Sequence, residues 1–202
     1  MCLDSPLSPH FHLGPRLQKL KQVLTAESRS SNNGQVEAVV GVLLVEGDRG
    51  LETLLIQRPE RSDDPWSGQV GFPGGRVKGS DSSVKEALHR EVEEEVGIDL
   101  KPDGEELGPL SIGRPGRNPE VKVQPWVYAL RRRLPLRVSG EVAEAFWVAL
   151  PDLPSKLRTA EVEIRGQKWA VECYLVDDHI VWGFTFRVLG ELMQIPEVMA
   201  TS

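Results

Sequence analysis

Apolar positions along the chain follow two spacings, which predict a mixture of helices and strands. Spacings of three and four residues predict helices over 15–25, 84–96 and 184–193. Short runs of β-branched and aromatic residues predict strands, and these runs cover residues 36–45, 51–57, 69–72, 109–112, 121–130, 145–148, 161–164, 169–175 and 179–181. Residues 151–157 predict one more short helix. The order of these elements favours an α/β fold in which helices cover both faces of a mixed sheet.

Length and composition are typical of one domain with short extensions. The chain has 202 residues, 40% of them hydrophobic, which is enough for a full core. Residues 1–34 predict a lead-in without periodicity, then a helix and a Ser/Asn-rich linker. Residues 35–195 form the expected compact domain, and residues 196–202 are expected to be a C-terminal tail.

Charge and cysteine content exclude several classes of partner. A net charge of −6 argues against binding nucleic acid through a basic surface. No apolar run is long enough to span a membrane, and no signal peptide is visible. The two cysteines, Cys2 and Cys173, lie too far apart to form a disulfide framework. A cytoplasmic protein with a small-molecule ligand is therefore expected.

The predicted helix over 84–96 carries an unusual acidic stripe. Its apolar stripe consists of Val84, Leu88, Val92 and Val96. Beside that stripe lie Glu91, Glu94 and Glu95, and like charges at such spacings repel one another. A hard divalent cation such as Mg²⁺ or Mn²⁺ would offset the repulsion, because these ions prefer carboxylate oxygens. The alternative is an acidic helix face that only meets solvent.

The segment with these glutamates resembles the Nudix box, a glycine followed at a distance by Arg-Glu-apolar-x-Glu-Glu-x-Gly-apolar. The run from Arg90 to Ile98 fits that tail position by position. The resemblance implies a Nudix-type α/β/α sandwich with a mixed sheet. It also implies hydrolysis of a nucleoside diphosphate linked to another group, with Mg²⁺ or Mn²⁺ as cofactor. Glu91, Glu94 and Glu95 would be the metal ligands and catalytic groups, and Arg90 would orient carboxylates.

The front half of the box departs from the family pattern. Counting back from Arg90 places Ser82 where the pattern has a glutamate and Arg76 where it has a glycine. The chain reads as if one residue were inserted after Gly75, which makes Asp81 the nearest acidic substitute. A purely structural explanation also exists, because the run from Ser83 to Glu86 is a helix capping box.

One further carboxylate outside the box often serves as general base or extra ligand in this family. The candidates are Glu141 and Glu144, which precede a predicted strand. A solvated acidic turn is an equally good interpretation of this segment. Between the two, Glu141 is the favoured catalytic candidate.

Residues outside the box are similar to those of the coenzyme A diphosphatases. The runs Leu54–Arg58 and Gly68–Gly75 resemble the segment that precedes the box in that group, and Ile180–Thr185 resembles its apolar-Trp-Gly-x-Thr signature. The resemblance implies that coenzyme A or an acyl-coenzyme A is cut to 3′,5′-ADP and a 4′-phosphopantetheine product. It also makes a homodimer plausible.

The expected substrate contacts are partly altered in this chain. The coenzyme A pattern has a second basic residue where this chain has Asp63, and Arg61 is the nearest substitute. The substrate-binding candidates are Arg58, Arg61, Gly74, Gly75 and Arg76. Two alternatives therefore stay open: the same chemistry on ADP-ribose or another nucleoside-diphosphate-linked compound, and a Nudix module that binds nucleotide without catalysis.

Overall fold

The computed structural model describes residues 12–28, 36–61, 67–116, 118–164 and 166–200. The helices are α1 (Pro15–Ser28), α2 (Val84–Val96), α3 (Leu100–Asp103), α4 (Gly183–Met193) and α5 (Pro196–Met199), with a 3₁₀ helix at Leu150–Lys156. The strands are β1 (Ala38–Gly47), β2 (Gly50–Gln57), β3 (Val70–Gly71), β4 (Gly74–Arg76), β5 (Gly104–Pro109), β6 (Val123–Leu130), β7 (Glu144–Ala149), β8 (Leu157–Ile164), β9 (Gln167–Val176) and β10 (His179–Trp182).

The strands form a large mixed sheet and a small antiparallel one. In the large sheet the order is β3-β2-β1-β6-β5, and β4 and β7 pair with β1 and β2 off that path. The pairing of β1 with β6 is parallel, whereas the other pairings are antiparallel. The small sheet has the order β10-β9-β8. The predicted mixed sheet is thus confirmed.

Helices cover both faces of the large sheet, as the α/β/α sandwich requires. One face packs on α2, where Ala87, Leu88, Val92 and Val96 are fully buried. The other face packs on α1, α4 and α5, together with the small sheet. Strand β1 lies between the two layers, and its residues are buried on both sides, which explains its almost continuous apolar run. No helix in the described ranges has the length and apolarity to span a membrane.

The first and last elements of the described chain are joined by one arginine. Helix α1 buries Leu17, Leu20 and Leu24 against the sheet. The Arg16 guanidinium donates from Nε to the Glu197 carbonyl at 2.6 Å. Its Nη2 donates to the carbonyls of Val198, at 3.0 Å, and of Ala200. Because these carbonyls lie at the end of α5, Arg16 satisfies acceptors that no helical N–H group reaches.

The structure corrects the sequence-based prediction in two regions. The strand predicted at 109–112 is wrong: β5 begins at Gly104 and ends at Pro109. Pairing with β6 and ion pairs from Lys21 and Lys85 to Glu105 and Glu106 hold this glutamate-rich segment in the sheet. Residues 196–199 form a helix that buries Val198, although a tail is predicted there. In both places tertiary contacts outweigh local propensity.

Candidate active site

Helix α2 places two of the three glutamates of its acidic stripe, Glu91 and Glu95, in the interior of the protein. The helix begins after Ser83, whose hydroxyl accepts the Glu86 N–H at 3.2 Å, so the predicted N-cap is confirmed. The Glu86 carboxylate, however, accepts from Ser82 rather than from Ser83. Glu91 and Glu95 are 8% and 2% exposed, which is incompatible with a solvated acidic face. Glu94 is exposed.

The Gly74-Gly75 pair in β4 lies directly against these buried carboxylates. The Gly74 N–H donates to Oε2 of Glu95 at 2.8 Å. Gly74 has a φ of +147°, and a Cβ there would lie 2.3 Å from the Val39 carbonyl oxygen. A Cβ on Gly75 would lie 2.5 Å from the Glu91 carboxyl carbon. Both glycines are therefore required by close approach, of backbone to backbone at Gly74 and of backbone to carboxylate at Gly75.

Arg90 binds three carboxylates around a single guanidinium group. Asp81 accepts from Nε at 3.0 Å and from Nη2 at 3.1 Å. Nη1 donates to Glu91 at 2.6 Å and to Glu94 at 3.1 Å, the latter contact being the one that the i, i+4 spacing predicts. The hydrogen bonds from Arg90 and from the Lys78 backbone N–H lower the pKa of Asp81 to about 2. Asp81 therefore stays ionised and fixes the plane of the guanidinium.

Glu95 is the electrostatically unfavourable member of the cluster. Burial of its carboxyl group, helped by the charges of Glu91 and Glu141, raises the pKa of Glu95 to about 8. The Gly74 N–H and the charge of Arg58 act in the opposite direction. A site that accumulates negative charge in a buried place is a strong candidate for binding a cation or for proton transfer.

The donor groups fit a hard divalent cation. Within the described ranges, no three carboxylate, imidazole or thiol groups stand close enough to hold one metal ion unaided. Mg²⁺, however, is commonly bound through one or two carboxylates, with water and substrate phosphates at its other positions. Glu91 and Glu95 supply two such carboxylates at the surface of one cleft. Glu94 is held by Arg90 and is not among the residues that line the cleft.

The cleft beside these carboxylates has a volume of about 990 Å³. Its walls come from β1, β3, β4, α2, the loop that contains Arg114, the β8–β9 hairpin and the start of α4. Among the described residues, four arginines line it: Arg58, Arg76, Arg114 and Arg187. Carboxylates on one wall and several cations around the rest suit a ligand that carries phosphate groups.

The structure brings together most, but not all, of the residues singled out from the sequence. Those that line the cleft are Arg58, Gly74, Gly75, Arg76, Glu91, Glu95 and Glu141. Arg90 and Glu94 do not line the cleft, although Arg90 contacts Glu91, which does. The exposed Arg61 donates to the Gly140 carbonyl at 3.2 Å and does not line the cleft. Glu144 contacts His179 at 3.2 Å instead. Asp63 and the rest of residues 62–66 lie outside the described residues.

The sequence analysis did not predict one wall of the cleft. Ile164, Gln167 and Trp169 of the β8–β9 hairpin line it, as does Arg187 of α4. The period-2 alternation along β8 and β9 was a usable signal for which face of the hairpin points inward. Nothing local could have indicated that this hairpin reaches a site built from residues about ninety positions earlier.

Comparison with known proteins identifies relatives for this arrangement. The family model described as "NUDIX domain" matches residues 36–167. A protein called "Uncharacterized Nudix hydrolase NudL" from Cronobacter sakazakii is 30% identical over 96% of this chain and 98% of its own length. The protein of that name from Photorhabdus laumondii is 33% identical over 72% of this chain and 78% of its own.

One solved structure shows the same fold. It is the crystal structure of a MutT/nudix family protein from Enterococcus faecalis, with a TM-score of 0.50 and 18% sequence identity. The match covers 91% of this chain and 75% of the other.

Proposed function

Because the chain belongs to the NUDIX family of hydrolases, we propose that it cleaves a diphosphate bond in coenzyme A or an acyl-coenzyme A. The products would be 3′,5′-ADP and a 4′-phosphopantetheine compound. The observation that carries the proposal is the cleft in which the buried carboxylates of Glu91 and Glu95 lie on the same surface as four arginines.

The reaction is a hydrolysis at phosphorus. Water attacks one phosphorus atom of the diphosphate, a new P–O bond forms, and the bond to the bridging oxygen breaks. Glu91 and Glu95 would hold a divalent ion, which would supply positive charge for the phosphate oxygens and lower the pKa of a bound water. Members of this family generally use such ions. Glu141 lines the same cleft and accepts the proton of the attacking water.

Arg90 and the glycine pair position the carboxylates of this site. Arg90 holds Glu91 by a 2.6 Å hydrogen bond, and Asp81 holds Arg90 in turn. The Gly74 N–H fixes one oxygen of Glu95. The carboxylates are therefore positioned before any ligand binds, which is how a site reduces the reorganisation required during reaction.

Cleft size and charge support a large phosphorylated substrate. A volume of about 990 Å³ is at the upper end of the range for ligand pockets. Coenzyme A carries a 3′-phosphate besides the diphosphate, and the arginines Arg58, Arg76, Arg114 and Arg187 offer cations for both groups. Two segments that resemble coenzyme A diphosphatases, the one before the box and residues 180–185, also support coenzyme A as the substrate.

The direct test is product release from a substrate panel. Coenzyme A, acetyl-coenzyme A, ADP-ribose, a diadenosine polyphosphate and NADH are each incubated with Mg²⁺ and with Mn²⁺, and products are identified by mass spectrometry. The highest kcat/KM on coenzyme A, with 3′,5′-ADP released, is the expected result. Turnover of coenzyme A below that of ADP-ribose would overturn the substrate assignment.

A matched pair of variants tests the site assignment in the same assay. Glu95→Gln should remove nearly all turnover, because it replaces a buried metal ligand. Glu93→Gln is the control, since Glu93 lies on the same helix with an exposed side chain and does not line the cleft. Equal activity of the two variants would contradict the role given to Glu95.

ADP-ribose or another nucleoside-diphosphate-linked compound is the second candidate. The specific observation is that Arg61, the substitute for the missing basic residue, bonds to the Gly140 carbonyl outside the cleft. Arg61 therefore does not take the place, inside the cleft, of the second basic residue of the coenzyme A pattern. The panel above separates the two candidates by their relative kcat/KM.

A further inference from the structure

The β8–β9 hairpin has two chemically different faces. Strand pairing places Val162 opposite Trp169 and Ile164 opposite Gln167. The alternate face carries Glu161, Glu163, Lys168 and Glu172, all exposed. An apolar face that stayed in solvent would be unfavourable, but the residues Ile164, Gln167 and Trp169 of this face line the cleft. The hairpin thus turns its apolar side toward the substrate site.

Among the described residues that line the cleft, Trp169 has the most accessible aromatic ring. It is 52% exposed, more than any other large hydrophobic residue that the structure describes. The other aromatic residues in the lining are more enclosed: Phe72 is buried, Trp182 is half-buried, and the Phe184 ring lies 5.0 Å below the Arg187 guanidinium. Trp169 is therefore the ring best placed to receive a planar group from solvent.

We propose that Trp169 stacks on the adenine base of the substrate. The inference rests on the proposed function, because it requires a nucleotide whose diphosphate reaches Glu91 and Glu95. A flat exposed indole matches a purine better than it matches the flexible pantetheine arm. The residue lies beyond position 167, where the family match ends, so this contact belongs to the less general part of the fold.

The test measures binding of product fragments, apart from hydrolysis. Affinities for 3′,5′-ADP, 4′-phosphopantetheine and inorganic pyrophosphate are determined by calorimetry with EDTA present. Trp169→Leu should weaken 3′,5′-ADP binding by about fivefold to one-hundredfold, as expected for loss of one base–aromatic stack. Trp169→Phe should restore most of that affinity. Binding of 4′-phosphopantetheine and of pyrophosphate should stay within about twofold.

Trp126→Phe is the matched control. Trp126 is half-buried, donates from Nε1 to Glu106 at 3.2 Å and does not line the cleft. The expected 3′,5′-ADP affinity of this variant is that of the unaltered protein. In turnover assays, Trp169→Leu should raise KM more than it lowers kcat, because base stacking contributes to binding in both ground and transition states.

Three results would overturn the inference. The first is unchanged 3′,5′-ADP affinity in Trp169→Leu. The second is an equal loss for 4′-phosphopantetheine, which would place the pantetheine arm on the indole. The third is a change in sedimentation mass, which would make Trp169 a contact between two copies of the chain. If ADP-ribose proves to be the substrate while Trp169→Leu weakens both ADP and 3′,5′-ADP, the stacking role stands and only the coenzyme A assignment fails.

Discussion

A single guanidinium organises the acidic cluster at the residue scale. Arg90 contacts Asp81, Glu91 and Glu94, and its pKa is raised above the ordinary value mainly by the hydrogen bonds with Asp81. The family pattern would have a glutamate at the position of Ser82, but the carboxylate that reaches Arg90 is that of Asp81. The extra residue after Gly75 therefore moves the acidic partner by one position and keeps the contact.

Asp81→Asn should lower kcat by about ten- to one-hundredfold, because it loosens the residue that positions Glu91. Ser82→Ala should have a much smaller effect, since the hydrogen bonds of Ser82 go to Glu86 at the start of α2 and not to Arg90. Steady-state kinetics on the preferred substrate compare the two variants. The opposite order of effects would mean that Ser82 and not Asp81 fills the box position.

The lowered pKa of Asp81 predicts how the stability of the protein depends on pH. Its pKa in the folded protein is lowered to about 2, below the ordinary value of an aspartate. The ionised Asp81 carboxylate therefore stabilises the folded protein near neutral pH, and this stabilisation is lost as the pH falls from about 4 toward 2. Chemical denaturation at several pH values should show Asp81→Asn less stable than the unaltered protein at pH 7. The difference should shrink across that acidic window, and a constant difference would contradict the assignment.

Glu95 links stability to metal binding. In the absence of divalent ions, Glu95→Gln should melt at the same temperature as the unaltered protein or higher, because a buried acid beside like charges is removed. At a metal concentration of about one hundred times Kd, the unaltered protein should gain about 5–10 °C in Tm and the variant much less. Differential scanning calorimetry with Mg²⁺ and with EDTA gives both values. An equal gain in both proteins would place the ion elsewhere.

At the scale of elements, strand β4 joins the large sheet to the catalytic helix. Its residues pair with β1 in the order Ala38 with Arg76, Val39 with Gly75 and Val40 with Gly74. The same short strand contacts α2 through Glu91 and Glu95. The two adjacent glycines serve different purposes there, which alanine substitutions can separate.

Gly74→Ala should destabilise the protein by about 1–3 kcal/mol or more, because its φ of +147° and the nearby Val39 carbonyl are incompatible with a Cβ. Gly75→Ala should fold normally but displace the Glu91 carboxylate and lower kcat. Gly79→Ala is the control, since no atom lies within 4 Å of an added Cβ there. Thermal melts and kinetics on all three variants are compared. Loss of the fold in Gly75→Ala would contradict this division of roles.

The elements differ in how far the sequence determines them. The central hairpin β1–β2 and helix α2 could be predicted, because apolar periodicity, the Ser83 cap and Gly97 all agree locally. Strand β5 could not, since its glutamates are held in place by lysines from α1 and α2. The carboxylates of the site follow from helical spacing. The cleft wall that contains Trp169 could not be predicted in this way, because the packing of the small sheet is what brings that wall to the cleft.

At the scale of the whole molecule, elements outside the family match complete the core. The match covers residues 36–167, whereas α1, α4 and α5 lie outside it. These helices contribute fully buried side chains to one layer, among them Leu20, Leu24, Val188, Leu189 and Leu192. Without them a large part of one face of the large sheet would be left in solvent.

A fragment of residues 36–167 should therefore fail to fold cooperatively, whereas residues 12–200 should fold. In the intact chain, Leu20→Ala should cost about 2–5 kcal/mol, and Lys19→Ala, at an exposed position of the same helix, should change stability by no more than about 0.5 kcal/mol. Urea denaturation followed by circular dichroism measures these differences. A cooperative transition in the short fragment would show that the outer helices are dispensable.

The contact between Arg16 and the end of α5 has a consequence for synthesis on the ribosome. The acceptor carbonyls lie 181 to 184 positions after the arginine, so α1 can complete this contact only after α5 has been synthesised. Translation adds roughly 5–20 residues per second, which leaves the contact open for roughly ten seconds or more. A chain that terminates early lacks these acceptor carbonyls. Helix α1 is then held less firmly, and its side chains Leu17, Leu20 and Leu24 are more often exposed to solvent. Such incomplete products would be the preferred targets of chaperones and proteases.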